Sequence, residues 1–153
     1  MIRDEVIIRE INALWLPVYP YMADHLLAAS GVGGGRFLDL GPFAGGLALN
    51  ILRKCETFVV AVRGAFFFLT PTLLQEVRRV LRPGGFGWVG GGYGPTTPDE
   101  VIASIAHRSR MLNEAVGKRR ITPEDARVMA GIAGLEECTR VVTEGGLWLE
   151  VRA

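Results

Sequence analysis

The sequence predicts one α/β domain built on a mixed sheet, and three observations carry that expectation. Short apolar runs alternate with stretches of helical periodicity from Arg36 onward. Glycine and proline clusters stand between them, where turns need their backbone freedom or restriction. The tail from Leu135 to Arg152 reads as two strands around Thr143-Glu144-Gly145-Gly146, an antiparallel hairpin.

The elements follow in order. Ile7, Ile11, Leu14 and Trp15 recur at i, i+4, i+7 and i+8, an amphipathic helix over 4–16 that stops at Pro17. Tyr19-Pro20 opens a second helix to about Ala29, ended by the glycine-rich run 30–35. Arg36 to Gly41 is a short apolar strand, and Leu47 to Lys54 a helix with basic residues in its last turn. Thr57 to Val62 is β-branched and aromatic, a strand buried on both faces. Pro71 to Leu81 is a helix with Leu73, Leu74, Val77, Val80 and Leu81 inward, terminated by Pro83-Gly84-Gly85. Phe86 to Gly92 is another buried strand. Acids in their first turns mark helices from Pro98 to about Val116 and from about Thr122 to Ile132.

Composition bounds the function. The chain has 153 residues, 49% hydrophobic and 22% charged, enough for one core without a metal or disulfide staple. A single domain over 1–153 is expected, with N-terminal helices in 1–30 and an α/β core in 36–152. A net charge of +1 gives no footprint for general nucleic-acid binding. No stretch reaches the roughly 18 apolar residues of a membrane span, and the N-terminus lacks the apolar core of a signal peptide, so a cytoplasmic location is expected. His25 and His107 lie apart without ligand-spaced neighbours, and no metal site is expected. Cys55 and Cys138 are expected to be small buried thiols.

Two segments carry a family resemblance. Leu38-Asp39-Leu40-Gly41-Pro42-Phe43-Ala44-Gly45-Gly46, and Leu73 to Gly85 with its Glu76, Arg79-Val80-Leu81 and Pro83-Gly84-Gly85, together resemble the class I S-adenosylmethionine-dependent methyltransferases. The resemblance implies a Rossmann-like, methyltransferase-type sheet, mostly parallel with a C-terminal antiparallel hairpin. It also implies S-adenosylmethionine as cofactor, with Asp39, Gly41, Ala44 and Gly45 around it and Arg63 and Gly64 bordering the transfer site. The general physics is that glycines admit a ligand to the backbone, while a helix start offers free N–H groups. An acidic residue at Asp39 either orders the turn or meets the ligand.

The departures are as informative. Phe43 holds the central glycine position, and Pro42 removes an N–H. Between Gly46 and Phe58 there is room for one helix, where the family has two further strand-helix units, so about 60 residues are missing and the sheet is reduced in strand number. No acid for the ribose is found; Glu56 precedes a strand. Joining the first helix directly to the strand at 57–62 gives a left-handed crossover, against about 98% right-handed ones, if that helix keeps its family position. Three escapes exist: the strand takes the vacant second-strand place, the helix changes face, or segments exchange between chains. The bare first strand would also expose an apolar edge, so a homodimer is expected, through that edge or by segment exchange.

Other residues stay open. Arg63, Gly64 and Phe66 to Phe68 either line a pocket or make core and dimer contacts. Tyr93, after Gly90-Gly91-Gly92, either meets a substrate or closes a loop. His107 is either a general base or a solvated residue. Lys118-Arg119-Arg120, with Arg78, Arg79 and Arg82, either touch phosphates or form solvated faces. The expected function is a methyltransferase-like protein with a degenerate S-adenosylmethionine site, acting as a dimeric binding or interaction protein without turnover. The alternatives are an active methyltransferase on a small molecule, in which positioning supplies the catalysis, and a nucleotide binder, which lacks a P-loop.

Overall fold

The computed structural model of the chain describes residues 3–31, 37–40, 46–52, 59–63 and 68–153. Two helices open it, α1 (Arg3–Leu14) and α2 (Tyr19–Ser30), followed by β1 (Phe37–Leu40), α3 (Gly46–Leu52) and β2 (Val59–Arg63). Then come α4 (Pro71–Val80), β3 (Phe86–Gly92), α5 (Asp99–Ala115), α6 (Pro123–Ile132), β4 (Thr139–Val142) and β5 (Gly146–Arg152). The helix ends have identifiable causes. Gly31, at φ 65°, ends α2 with its N–H on Leu27 O. Thr70 caps α4 by accepting from Leu73 N, and Pro71 follows it at the first turn. Thr122 and Asp125 form a reciprocal capping box at the start of α6.

Among the described residues five strands lie in the order β1-β2-β3-β5-β4. β1 pairs parallel with β2, and β2 with β3; β5 pairs antiparallel with β3 on one side and β4 on the other. The expectation of a mostly parallel sheet is therefore not confirmed, since two ladders are parallel and two antiparallel. The reason is the way the hairpin enters: its second strand, not its first, docks on β3, and so makes an antiparallel ladder on each side. The turn itself is as tight as its glycines allow. Gly145 sits at φ 64°, and a Cβ there would lie 2.0 Å from Gly94 C, so the hairpin tip packs against the segment leaving β3.

Both faces of the sheet are covered. On one, Tyr19, Met22 and Leu26 of α2, Leu47 and Ile51 of α3, and Ile105 of α5 pack on Phe86, Trp88 and Trp148. Trp88 and Trp148 stack at 3.7 Å between centroids and 9° between planes, an arrangement that adds about 0.5–1.5 kcal/mol to the burial of such rings. On the other, Leu74, Val77 and Leu81 from α4 and its exit, with Ala126 of α6, pack on Val89, Leu149 and Val151. The alternation of Trp88 with Val89, and of Trp148 with Leu149, is the period of two that a doubly covered sheet requires. Leu73 and Val80 of α4 are only partly buried, at the margin of that layer.

This layout bears on the crossover routes. β2 lies between β1 and β3, so it does not take a place on the far side of β1. α3 and α4 cover opposite faces, while β1 to β2 and β2 to β3 step the same way along the sheet. Two such crossovers have opposite hands, and one of them departs from the right-handed rule. β1 stands at the sheet edge, with Leu38 41% exposed. The glycine run 32–35, Cys55, Glu56 and Phe58 lie outside the described residues, as do the side chains of 59–63. Among the described residues no helix is long and apolar enough to cross a membrane.

Candidate functional site

The three parallel strands end on one side of the sheet, which is where open α/β sheets present ligand sites. Asp39 lies near the end of β1, Arg63 ends β2 opposite Gly90, and Tyr93 follows β3. The fold thus gathers three of the expected site residues at one edge. Gly41, Ala44, Gly45 and Gly64 lie outside the described residues, together with Pro42, Phe43, Phe66 and Phe67, and so does the side chain of Arg63.

At the first turn the described groups are engaged by the protein itself. Asp39 Oδ2 accepts from Ala48 N at 3.3 Å, so the carboxylate holds the first turn of α3. Of the two roles open to this acid, ordering the turn is the one observed. Gly46 begins α3, and a Cβ there would lie 2.1 Å from Tyr19 Cε2. Tyr19 is 1% exposed, and its hydroxyl donates to Asn12 Oδ1 at 3.1 Å. The missing side chain at Gly46 lets α2 and α3 approach, with the tyrosine ring in the space it leaves.

A second arrangement stands at the end of β3. A cleft of about 550 Å³ lies between Gly92-Tyr93, the turn after α1, α5 and the segment 118–120. That is within the size range of small-molecule sites, roughly 300–1,000 Å³. Trp15 and Tyr93 line it as a stacked pair, 4.9 Å between centroids and 12° between planes. Ser109, buried on α5, holds the Trp15 ring: Trp15 Nε1 donates to its Oγ at 2.9 Å. Asn113, also buried, donates to Ser109 O and Oγ from one turn further along. Burial raises the Tyr93 pKa, against the lowering effects of Ser109 and the Arg110 charge, so the phenol is neutral and a hydrogen-bonding group.

The rim of this cleft is basic. Arg110 of α5 and Lys118, Arg119 and Arg120 of the following segment face it, with Glu114 as the carboxylate among them. Gly117, at φ 77°, reverses the chain after α5 and returns these three cations to the cleft. Arg119 also donates to Leu69 O at 2.6 Å, tying the segment to the start of α4. Lys118 is exposed as a residue, yet enough protein surrounds its ammonium for desolvation to lower its pKa.

The other candidates fall elsewhere. His107 is exposed on α5, off the line of Ile102, Ala106, Ser109 and Asn113 that faces the cleft. Arg79 pairs with Glu76 at 2.7 Å on the exposed face of α4. Cys138 is free and partly buried, its thiol against Leu135 O. His25 sits 5.7 Å from the Trp88 ring, its pKa lowered by burial against the opposing charges of Glu150 and Glu144. Among the described residues no group of three His, Cys, Asp or Glu side chains could hold a metal.

No protein-family model matches the sequence. No curated protein matches it either. A solved structure does: a Methanococcus maripaludis protein described as a "putative s-adenosyl-l-methionine-dependent methyltransferase" superposes with a TM-score of 0.73 at 16% identity, over 99% of this chain and 94% of that one. At that identity the likeness speaks for the fold. Together with the strand order, it gives this chain a class I S-adenosylmethionine-methyltransferase-like fold.

Proposed function

We propose that this chain is a methyltransferase-like binding protein whose S-adenosylmethionine site is degenerate, and that it works as a dimer without methyl transfer. The observation that carries this reading is at the turn after β1, where Asp39 holds the backbone of α3 and Tyr19 fills the space left by Gly46. Asp39 and Gly46 stand on either side of the 41–45 segment, and both serve the packing of α3 within the chain. Phe43 and Pro42 in the same segment, and the absence of a ribose-binding acid from the sequence, support the same conclusion. The short chain between α3 and β2 supports the same reading, since it leaves little room for the further strand-helix units that the family resemblance implies.

Dimerisation is the second part of the reading. Among the described strands β1 stands at the sheet edge, the place where a second copy of this strand would add on. The opposite hands of the two crossovers favour an exchange of 1–52 between copies, which frees the connection from crossing within one domain. Melting the protein with millimolar S-adenosylmethionine or S-adenosylhomocysteine tests the first part: the reading expects no rise in Tm. An active small-molecule methyltransferase is the competing reading, favoured by the cleft beside Tyr93 at the strand ends, and a ligand-dependent rise would establish it instead.

A further inference from the structure

We infer that the pocket between the start of β4 and the end of β5 binds a small zwitterion of the α-amino-acid class, with its ammonium on Glu150 and its carboxylate on Arg140. The pocket has a volume of about 210 Å³, and Glu137, Cys138, Arg140, Glu150 and Arg152 line it. Glu150 stands opposite Arg140 in the β4–β5 ladder, and Arg152 stands opposite Phe86, the first residue of β3. The site therefore lies at the end of the sheet away from the C-terminal ends of the parallel strands. It is separate from the turn after β1 and from the cleft beside Tyr93, and it stands whatever those bind.

A buried carboxylate carries the argument. Glu150 is 8% exposed, yet among the described residues no hydrogen bond or ion pair reaches it. Burying a carboxylate without a partner is costly, and such groups are as a rule paired. The cations around it are engaged elsewhere or stand off. Arg152 donates to Ala29 O at 3.0 Å and lies over the Phe86 ring, 5.0 Å from its centroid. Arg140, its cross-strand neighbour, makes no ion pair with it. His25 of α2 has its pKa lowered by burial, against the raising charge of Glu150, so near neutral pH the imidazole is chiefly uncharged and supplies no counter-ion.

What suits Glu150 is a cation that brings its own hydrogen-bond donors, and an ammonium brings three. A bare cation would also meet the guanidinium groups of Arg140 and Arg152, which line the same pocket, and like charges repel. A carboxylate on the same small molecule removes that conflict, because the exposed Arg140 guanidinium can take it through charge-assisted hydrogen bonds. The size agrees. The pocket is smaller than the roughly 300–1,000 Å³ of drug-sized sites, which leaves room for an amino acid with a small side chain.

The probes are L-alanine and L-serine, with ethylamine as the ammonium alone and propionate as the carboxylate alone. Each is followed by calorimetry and by the rate at which iodoacetamide alkylates Cys138, a free thiol that lines the pocket; peptide mapping keeps it apart from Cys55. At least one amino acid is expected to saturate, at least tenfold more tightly than ethylamine or propionate, and to slow the alkylation of Cys138 at least threefold. Glu150→Gln keeps the shape of the side chain and removes its charge, and is expected to weaken binding at least tenfold while melting no earlier than the parent. Should it melt early, Arg140→Gln at an exposed position serves, with a loss of at least threefold. No saturation by either amino acid at millimolar concentration, ethylamine binding as tightly as they do, unchanged binding in a folded variant, or binding that leaves Cys138 alkylation unchanged would overturn the assignment. Heat from S-adenosylhomocysteine that persists in Glu150→Gln belongs to the cofactor turn, so the two sites are read apart.

Discussion

Gly46→Ala is the sharpest perturbation of the turn after β1. The added Cβ would lie 2.1 Å from Cε2 and 2.6 Å from Cδ2 of Tyr19, whose ring is 1% exposed and has no free space to enter. Overpacking of this kind costs roughly 1–3 kcal/mol, and so short an approach to a buried ring belongs at about 3. Replacing glycine in a helix returns at most about 1 kcal/mol. The net expectation is a loss of about 2 kcal/mol, or about 4–8 °C in Tm for a chain of this length. Urea unfolding measures it, and a double-mutant cycle with Tyr19→Leu assigns it. In the Tyr19→Leu background the same substitution is expected to be neutral within about 0.5 kcal/mol, giving a coupling of at least about 1 kcal/mol. Two results would refute the reasoning: Gly46→Ala as stable as the parent, or the same cost in both backgrounds. Either would mean that the glycine is not there for the packing of α2 on α3.

Three further outcomes are expected. His25 has a pKa lowered from 6.5 mainly by burial, so its neutral form belongs to the folded state. Its contribution is fully present above the unfolded value and is lost as pH falls through the folded one, so urea midpoints should drop below about pH 6.5. His25→Gln should flatten that part of the profile, and an unchanged slope would remove His25 as its source. Asp125 has its pKa lowered by the Thr122 hydroxyl and backbone N–H, and Thr122→Ala should raise it toward the ordinary aspartate range in a carboxyl NMR titration. Sedimentation should give twice the 16.7 kDa chain mass at micromolar concentration; a concentration-independent monomer would exclude both the edge-paired and the exchanged dimer.

How far the sequence reached depends on how local the cause was. β3 spans Phe86–Gly92 as read, because a buried apolar run between Gly84-Gly85 and a glycine cluster leaves its ends no other place. The starts of α4 and α6 were legible for a similar reason: Thr-Pro sets a cap and a first turn within three residues. The order of the hairpin in the sheet was not. Whether β4 or β5 docks on β3 is decided by packing of Trp148 on Trp88 and Leu149 in the opposite layer, contacts with no local signature.

The candidate site divides in the same way. Asp39 was found through the family resemblance and Tyr93 from its place at a strand end, and the structure gives each a partner. Arg110 and Trp15 were missed as site residues. Trp15 reaches Ser109 across 94 positions of sequence, and an amphipathic helix that ends in tryptophan looks the same whether the ring fills a core or walls a cleft. The 118–120 run was noted as basic, but only the reversal at Gly117 turns it toward the other cleft residues. A glycine after a long helix, followed at once by three cations, is the signal that could have raised it. Gly41, Ala44, Gly45 and Gly64 fall outside the described residues, and their part in the account rests on the sequence.

The central claim is that the fold has kept the methyltransferase architecture without its cofactor site. Calorimetric titration with S-adenosylhomocysteine tests it most directly, because the product analogue needs no acceptor. The account predicts no saturable heat up to millimolar ligand, with an unchanged melting temperature. Saturable binding in the micromolar range, about −8 kcal/mol, would contradict it and establish a working cofactor site.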